Sequence, residues 1–135
     1  MSNEPRWIDR LALILLQAES LAEHGGLEGL RDENLLDSAL ARPQNLWAYQ
    51  DDAPDLVQLA AAYGVGIARK HPFADGNKRA AFLSVGLFLA LNGYRLVADQ
   101  AEATRVMRAV AAGELPEVEF AEWIRSHLQP WRDKS

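Results

Sequence analysis

Nine consecutive residues, 71–79 (HPFADGNKR), bring together side chains that could handle a phosphate group. They include a histidine, a carboxylate, a glycine, a carboxamide and two cations, and a largely apolar run, residues 80–91, follows at once. A loop that leads into the N-terminus of a buried helix favours an anion, because the first backbone N–H groups of the helix are free and lie at the positive end of its dipole. The sequence therefore predicts a phosphate-binding loop at residues 71–79.

The charge of this loop is opposite in sign to that of the whole chain. The chain of 135 residues has a formal net charge of −5, yet residues 69–79 contain four Lys or Arg and one Asp, a local charge of +3. An acidic chain lacks the broad basic face of a protein that coats nucleic acid. We therefore expect the local cations to bind a small anion, with no nucleic acid as a direct partner.

Two residues of the loop could take part in chemistry or could serve the structure alone. An unperturbed imidazole titrates at about 6.5, so His71 could accept a proton from a hydroxyl group near neutral pH. Alternatively, His71 caps the preceding helix. Asp75 could cap the following helix through its side chain. It could equally bind magnesium, which proteins often hold with one or two carboxylates beside substrate phosphates.

The other loop residues suit contact with phosphate. Gly76 has no Cβ, so backbone N–H groups can approach a phosphate closely. Asn77 has an amide that can donate a hydrogen bond. Arg79 can make a two-pronged contact and Lys78 a point-charge contact, unless both are ordinary solvated cations. Phe73 is expected to anchor the loop on the hydrophobic core.

Six helices are predicted from the apolar spacing, the capping residues and the helix breakers. Their expected positions are residues 7–23, a short helix between Asp32 and Pro43, residues 54–69, about 76–92, 99–113 and 116 to about 128. The apolar residues that make the first helix amphipathic are Ile8, Leu11, Leu15, Ala18 and Ala22. Residues 44–52 are expected to form a polar and aromatic connection, and residues 94–97 a short extended segment.

The chain is long enough for one domain with a real core. We expect an all-α fold for residues 1–135, with its core at about 7–128. It would be a compact bundle of about six helices with the loop at the N-terminus of a buried central helix. Cysteine is absent, which excludes disulfides and thiolate chemistry and fits a reducing cytoplasm. The first ten residues do not resemble a signal peptide, and the longest apolar run is too short for a bilayer. A soluble cytoplasmic protein without a membrane partner is expected.

The loop resembles the motif of the Fic family, H-x-F-x-(D/E)-G-N-(G/K)-R-x-x-R, and matches it at every position up to Arg79. Further segments resemble the Doc (death-on-curing) branch, the toxins of bacterial and phage toxin–antitoxin pairs. These segments are residues 24–26, 29–32, 35–43 and 91–94. The resemblance implies a compact Fic-like domain that uses ATP and Mg²⁺. It also implies that His71 is the general base for the hydroxyl of a protein substrate and that Asp75 is the magnesium ligand. The residues that it assigns to ATP phosphates are Gly76, Asn77, Lys78 and Arg79.

Two positions distinguish this chain from many adenylyl-transferring Fic proteins, which carry a small residue at position 78 and a second Arg at position 82. This chain has Lys78 and Phe82. Doc-like proteins share the change and resemble protein kinases. We therefore expect transfer of the γ-phosphate of ATP to a Ser or Thr hydroxyl, with elongation factor Tu as the target that the resemblance implies. AMP transfer is the alternative, and an inactive Fic-fold binding module is the second alternative.

The chain also lacks the self-inhibitory motif of many Fic proteins, [S/T]-x-x-x-E-[G/N]. No Ser or Thr in the sequence is followed by Glu four residues later. An active enzyme without this intrachain inhibitor would need control by another protein. The resemblance to Doc-like toxins implies that this partner is a small cognate antitoxin.

Overall fold

The computed structural model describes residues 4–49 and 52–131, and helices dominate this part of the chain. The helices are α1 (Arg10–His24), α2 (Glu33–Tyr49), α3 (Leu56–Lys70), α4 (Asn77–Leu91), α5 (Gln100–Ala111) and α6 (Glu117–Ser126). The strands are β1 (Tyr94–Leu96) and β2 (Leu128–Pro130). The predicted all-α bundle with the loop at the N-terminus of a core helix is confirmed. Within the described ranges, no helix has the length and apolar character that a membrane span requires.

The core is built around α3 and α4, which are consecutive helices in the chain and pack against each other. α4 begins at Asn77, within the last residues of the loop, and buries one face, including Val85 and Phe88. α3 is buried almost throughout, because α2, α4 and α6 all pack on it. A Cβ built at Gly64 of α3 would lie 2.9 Å from side-chain atoms of both Phe120 and Val85. The backbone of α3 is therefore in direct contact with α6 and α4 at this glycine.

The prediction that Pro43 ends the second helix is wrong. α2 continues through Pro43 to Tyr49, so residues 44–49 of the predicted connection are helical. Residues 50 and 51 of that connection lie outside the described residues. A proline inside a helix removes one backbone donor and crowds the carbonyl group of the preceding turn, at a cost of about 3 kcal/mol. Burial of the whole inner face of α2 offsets that cost here, since the residues on this face are Leu36, Ala39, Leu40 and Pro43.

Arg42 adds a specific tether beside the proline. Its guanidinium donates to the Ala62 carbonyl of α3 at 3.3 Å and pairs with the Glu117 carboxylate of α6 at 2.6 Å. These partners lie far away in the sequence. Tertiary contacts therefore override the local preference to stop the helix at Pro43.

α1 turns a different face to the core than its apolar spacing predicted. Leu11 and Leu15 are each 60% exposed. The buried face is instead formed by Leu13, Gln17, Ser20 and Leu21. The helix begins at Arg10, because the Asp9 side chain accepts a hydrogen bond from the Ala12 N–H and caps it. Of the predicted segment of residues 7–23, residues 10–23 are helical, and the inward face is partly polar.

Ile8 is buried as expected, although it precedes α1. Its N–H donates to the Tyr63 hydroxyl at 3.1 Å and ties the N-terminal segment to the middle of α3. Burial raises the pKa of Tyr63, and the hydrogen bond from Ile8 opposes that shift only in part. The Tyr63 hydroxyl therefore stays neutral in the core.

The extended segment predicted after α4 is confirmed as β1, but its partner was missed. β1 pairs antiparallel with β2, with Tyr94 opposite Pro130 and Leu96 opposite Leu128. The sixth helix ends at Ser126, two residues before the predicted end, because the chain turns into β2. This small sheet joins the end of α4 to the end of α6.

The two glycines of α3 provide a test of the core. We expect Gly64→Ala to destabilise the fold by about 1–3 kcal/mol, because the added methyl group would overlap Phe120 and Val85. Gly66→Ala is the matched control, since its Cβ would lie no closer than 3.5 Å to Ala39 of α2. That substitution should be neutral or stabilise by up to about 1 kcal/mol through helix propensity. Urea unfolding measures both, and equal effects would contradict this packing.

Candidate functional site

The loop of residues 71–79 is held by a second segment, residues 29–32, that runs alongside it. Leu30 and Phe73 form an antiparallel bridge, and the Ala74 N–H donates to the Gly29 carbonyl at 2.9 Å. The Phe73 side chain is only 2% exposed and lies in the hydrophobic core. The prediction that Phe73 anchors the loop is therefore confirmed.

Arg31 holds the first part of the loop through backbone carbonyl groups. Its guanidinium donates to the His71 carbonyl at 2.7 Å and to the Lys70 carbonyl at 3.0 Å. Its own N–H donates to the Pro72 carbonyl at 2.7 Å. Carbonyl groups at the C-terminus of a helix lack intrahelical partners and attract cations. Arg31 thus closes α3 and sets the direction in which the loop leaves it.

His71 ends α3 in a left-handed conformation, with φ of 54°. It is the one non-glycine residue with positive φ in the described part of the chain, and its side chain is exposed. Its backbone N–H donates to the Ile67 carbonyl, but its imidazole makes no hydrogen bond to any described residue. The backbone serves the helix end, as the structural interpretation proposed, and the imidazole is left free.

Asn77 is the first residue of α4, and both polar atoms of its side-chain amide form hydrogen bonds within the loop. Its Oδ1 accepts from the Phe73 N–H at 2.9 Å, and its Nδ2 donates to the Phe73 carbonyl at 3.0 Å. The side chain therefore closes the loop. The predicted contact of Asn77 with a phosphate would then come from the backbone N–H, which at this helical position has no intrahelical partner, and not from the side-chain amide.

The N-cap of α4 is Gly76, so the interpretation of Asp75 as the helix cap is wrong. Gly76 has φ of 70°, a left-handed conformation that favours glycine, and makes no side-chain capping bond. The Asp75 carboxylate instead accepts from the Gly76 N–H at 2.9 Å and from the Leu27 N–H at 3.2 Å. It is held in place at the surface while its remaining lone pairs stay available.

Asp75 fits a magnesium ion of the kind that accompanies a nucleotide. Among the described residues, no group of three or more His, Cys, Asp or Glu side chains could hold a metal by itself. Magnesium bound with nucleotides keeps water and phosphate ligands and needs only one or two carboxylates. A single, oriented carboxylate beside a helix N-terminus satisfies that requirement.

A cleft of about 540 Å³ opens at the N-terminus of α4, between α4 and α5. Its lining residues are Asp75, Gly76, Asn77, Lys78, Arg79, Phe82, Leu83, Ala98, Gln100, Ala103, Thr104 and Met107. The end formed by the loop is polar and cationic, whereas Phe82, Leu83 and Met107 make the rest apolar. This arrangement suits an elongated ligand with a phosphate group at one end. His71 does not line the cleft but lies where the loop begins.

Lys78 and Arg79 are exposed, and neither forms a salt bridge with any carboxylate that the structure describes. Arg10, Arg42 and Arg125, by contrast, are each paired with a carboxylate. The two cations of the loop therefore keep their full charge toward the cleft, as expected for an anion site.

Sequence reasoning missed Gln17 of α1, which is only 2% exposed. Its Nε2 donates to the carbonyl groups of Asp75 at 3.0 Å and Gly76 at 3.3 Å. His24 was predicted to be an ordinary histidine at a helix end, and it is the last residue of α1. Its ring nevertheless reaches the site, with Nε2 3.3 Å from Nη1 of Arg79. The apolar spacing of α1 predicted a different inward face, so the sequence offered no signal that would have identified Gln17.

Comparison with known proteins agrees with this geometry. The sequence profile of the Fic/DOC family matches residues 7–89, from the segment before α1 through most of α4. "Protein kinase doc" of Escherichia phage P1 is 35% identical over 120 residues, which cover 89% of this chain and 94% of that protein. "Toxin Doc" of Mycolicibacterium smegmatis is 45% identical over 85 residues, which cover 63% of this chain and 65% of that protein.

The left-handed conformation at residue 71 gives a stability test that is independent of activity. Gly adopts this conformation freely, whereas other residues lose about 1–2 kcal/mol. We therefore expect His71→Gly to be more stable than His71→Ala by about 1 kcal/mol. At the neighbouring Lys70, still inside α3, the order should reverse, because Ala favours a helix over Gly. Urea unfolding of the four variants measures this, and the same order at both positions would contradict the backbone geometry.

Proposed function

This chain belongs to the Fic/DOC family, and on that premise we propose that it is a Doc-like toxin kinase. It would transfer the γ-phosphate of ATP to a Ser or Thr hydroxyl of a protein target. The observation that carries this proposal is the loop itself. A free imidazole at His71 lies at one end of the loop, and two unpaired cations, Lys78 and Arg79, lie at the other end beside a cleft.

The protein would contribute little covalent chemistry of its own to this reaction. The hydroxyl oxygen of the target attacks the γ-phosphorus, the bond to the bridging oxygen of ADP breaks, and ADP leaves. His71 takes the hydroxyl proton as general base. Catalysis of this kind depends mainly on positioning and charge stabilisation. Arg79, Lys78 and the first N–H groups of α4 supply both.

Magnesium would be held by the Asp75 carboxylate and by phosphate oxygens, and it would neutralise phosphate charge. Asp75 itself needs no rearrangement for this. Its carboxylate is already oriented by the N–H groups of Gly76 and Leu27. The anion and the cation would then occupy the same end of the cleft.

Transfer of the γ-phosphate rather than AMP is supported by Lys78 and Phe82. Both residues line the cleft, one helical turn apart on α4. Phe82 is half-buried and packs against the core, so this position offers no cation for the terminal phosphates. The relative from Escherichia phage P1, which covers most of this chain, is named as a protein kinase.

The target that we propose is elongation factor Tu, and the inhibitor that we propose is a small cognate antitoxin. The name of the relative from Mycolicibacterium smegmatis supports a toxin. The sequence lacks the self-inhibitory motif of many Fic proteins, which supports inhibition by another chain. A target of this kind would place the activity in the bacterial cytoplasm.

Isotope labelling tests the reaction. With elongation factor Tu and Mg²⁺, we expect protein-bound label from γ-labelled ATP and none from α-labelled ATP. His71→Gly should reduce labelling to background, because it removes the base and keeps the backbone conformation. Label from the α position alone would replace this proposal with AMP transfer. No label in elongation factor Tu or in bacterial lysate would favour a binding module. Label only in another lysate protein would overturn the target alone.

Asp75→Asn tests the magnesium ligand. The carboxamide keeps an oxygen that can accept a backbone hydrogen bond but loses the charge. We expect the apparent magnesium affinity, measured by ATP-binding calorimetry, to fall about tenfold or more, since even outer-shell groups contribute that much. Stability should fall by no more than about 3 kcal/mol, because Asn keeps an acceptor and a hydrogen bond to a charged group contributes about 1.5–3 kcal/mol.

Asp55→Asn is the matched control, because Asp55 caps α3 away from the cleft. It should leave magnesium affinity unchanged and cost no more than about 1 kcal/mol of stability, because Asn caps a helix about as well as Asp and the exposed ion pair of Asp55 with Arg125 contributes little. Unchanged magnesium affinity in Asp75→Asn would show that Asp75 only holds the loop.

A further inference from the structure

His24 makes a hydrogen-bonded connection between α1 and the phosphate end of the cleft. Its Nδ1 lies 3.0 Å from the Ser20 carbonyl oxygen, and its Nε2 lies 3.3 Å from Nη1 of Arg79. The chemistry of the neighbours assigns the protons. A carbonyl oxygen only accepts, so Nδ1 carries the hydrogen, and a guanidinium only donates, so Nε2 accepts. Both contacts are satisfied by one tautomer of the neutral imidazole.

The acceptor that holds Arg79 is uncharged, as are the backbone carbonyl groups that hold Arg31. Arg10, Arg42 and Arg125 are held by carboxylates, which neutralise them. A carboxylate on Arg79 would compete with a phosphate for the same donors. A neutral imidazole instead fixes one N–H group and leaves the charge and the remaining N–H groups for a ligand.

His24 is well placed to hold Arg79, because α1 contacts the loop one and two helical turns before His24, at Leu21 and Gln17. Gln17, on the same face of α1, is 2% exposed and holds the carbonyl groups of Asp75 and Gly76. A Cβ built at Gly76 would lie 2.9 Å from Gln17 Nε2 and 3.3 Å from Leu21 Cδ2, so the loop and α1 are in close contact. The backbone of α1 just before His24 is therefore fixed against the loop.

We propose that His24 is a positioning residue that orders the Arg79 guanidinium before the nucleotide binds. This inference rests on the proposed function, because it assumes that Arg79 binds phosphate groups. A free arginine side chain loses conformational entropy when a ligand immobilises it. His24 reduces that loss by holding the side chain in place beforehand.

The experiment compares His24→Leu, which has no acceptor, with His24→Gln, whose amide oxygen can still accept from Arg79. Calorimetry with ATP and Mg²⁺, and separately with inorganic tripolyphosphate, measures binding without turnover. We expect His24→Leu to weaken both ligands about three- to tenfold, the range for one immobilised side chain. His24→Gln should restore most of the loss. In the transfer assay, KM for ATP should rise more than kcat falls.

His127 provides the matched control, because its Nδ1 also contacts a carbonyl group in the preceding turn, that of Trp123 at 2.7 Å. It lies at the end of α6 and does not line the cleft. His127→Leu should leave binding of both ligands unchanged. Thermal unfolding of each variant separates loss of fold from loss of the contact.

A double-mutant cycle with Arg79→Ala decides the inference. If His24 acts through Arg79, His24→Leu has no further effect on binding once Arg79 is removed. Additive losses, or wild-type binding by His24→Leu, would overturn the inference. These outcomes are distinct from failure of the proposed function. If the double-mutant cycle shows coupling between His24 and Arg79 but the wild-type protein transfers no phosphate, the kinase assignment is contradicted and the role of His24 is still supported.

Discussion

The pair of hydrogen bonds between the Asn77 amide and both backbone groups of Phe73 is the constraint on which the site depends. Phe73 is buried in the core, and Asn77 is the first residue of α4. The amide therefore joins the anchor of the loop to the start of the helix. Because these polar groups are satisfied within the loop, the free donors of the first helical turn can face the cleft.

Charge is distributed so that the site remains cationic in an acidic protein. Carboxylates neutralise the arginines that tie helices together, such as Arg10 between α1 and α2 and Arg42 between α2 and α6. Lys78 and Arg79 have no such partner among the described residues. The one carboxylate of the loop, Asp75, accepts hydrogen bonds from backbone N–H groups and pairs with neither cation. An anion entering the cleft therefore meets unpaired positive charge beside one oriented carboxylate that suits a magnesium ion.

α1 links the packing of the bundle to the geometry of the site. Its buried face carries Gln17 toward the loop, and its last residue, His24, reaches Arg79. Polar residues on a buried helix face cost free energy unless they find partners, and the donor of Gln17 finds them in two loop carbonyl groups. α1 thus buries a polar side chain against the loop, while Leu11 and Leu15 remain exposed.

Elements whose causes are local could be predicted from the residues alone. Residues 71–79 carried the loop chemistry, and the caps and apolar spacing located all the helices and β1, because these signals act within a few residues. Tertiary structure alone decided the continuation of α2 through Pro43, the pairing of β1 with β2, the inward face of α1 and the roles of Gln17 and His24. The physical reason is common to all of them: their partners lie tens of residues away in the sequence, or depend on burial that only packing creates.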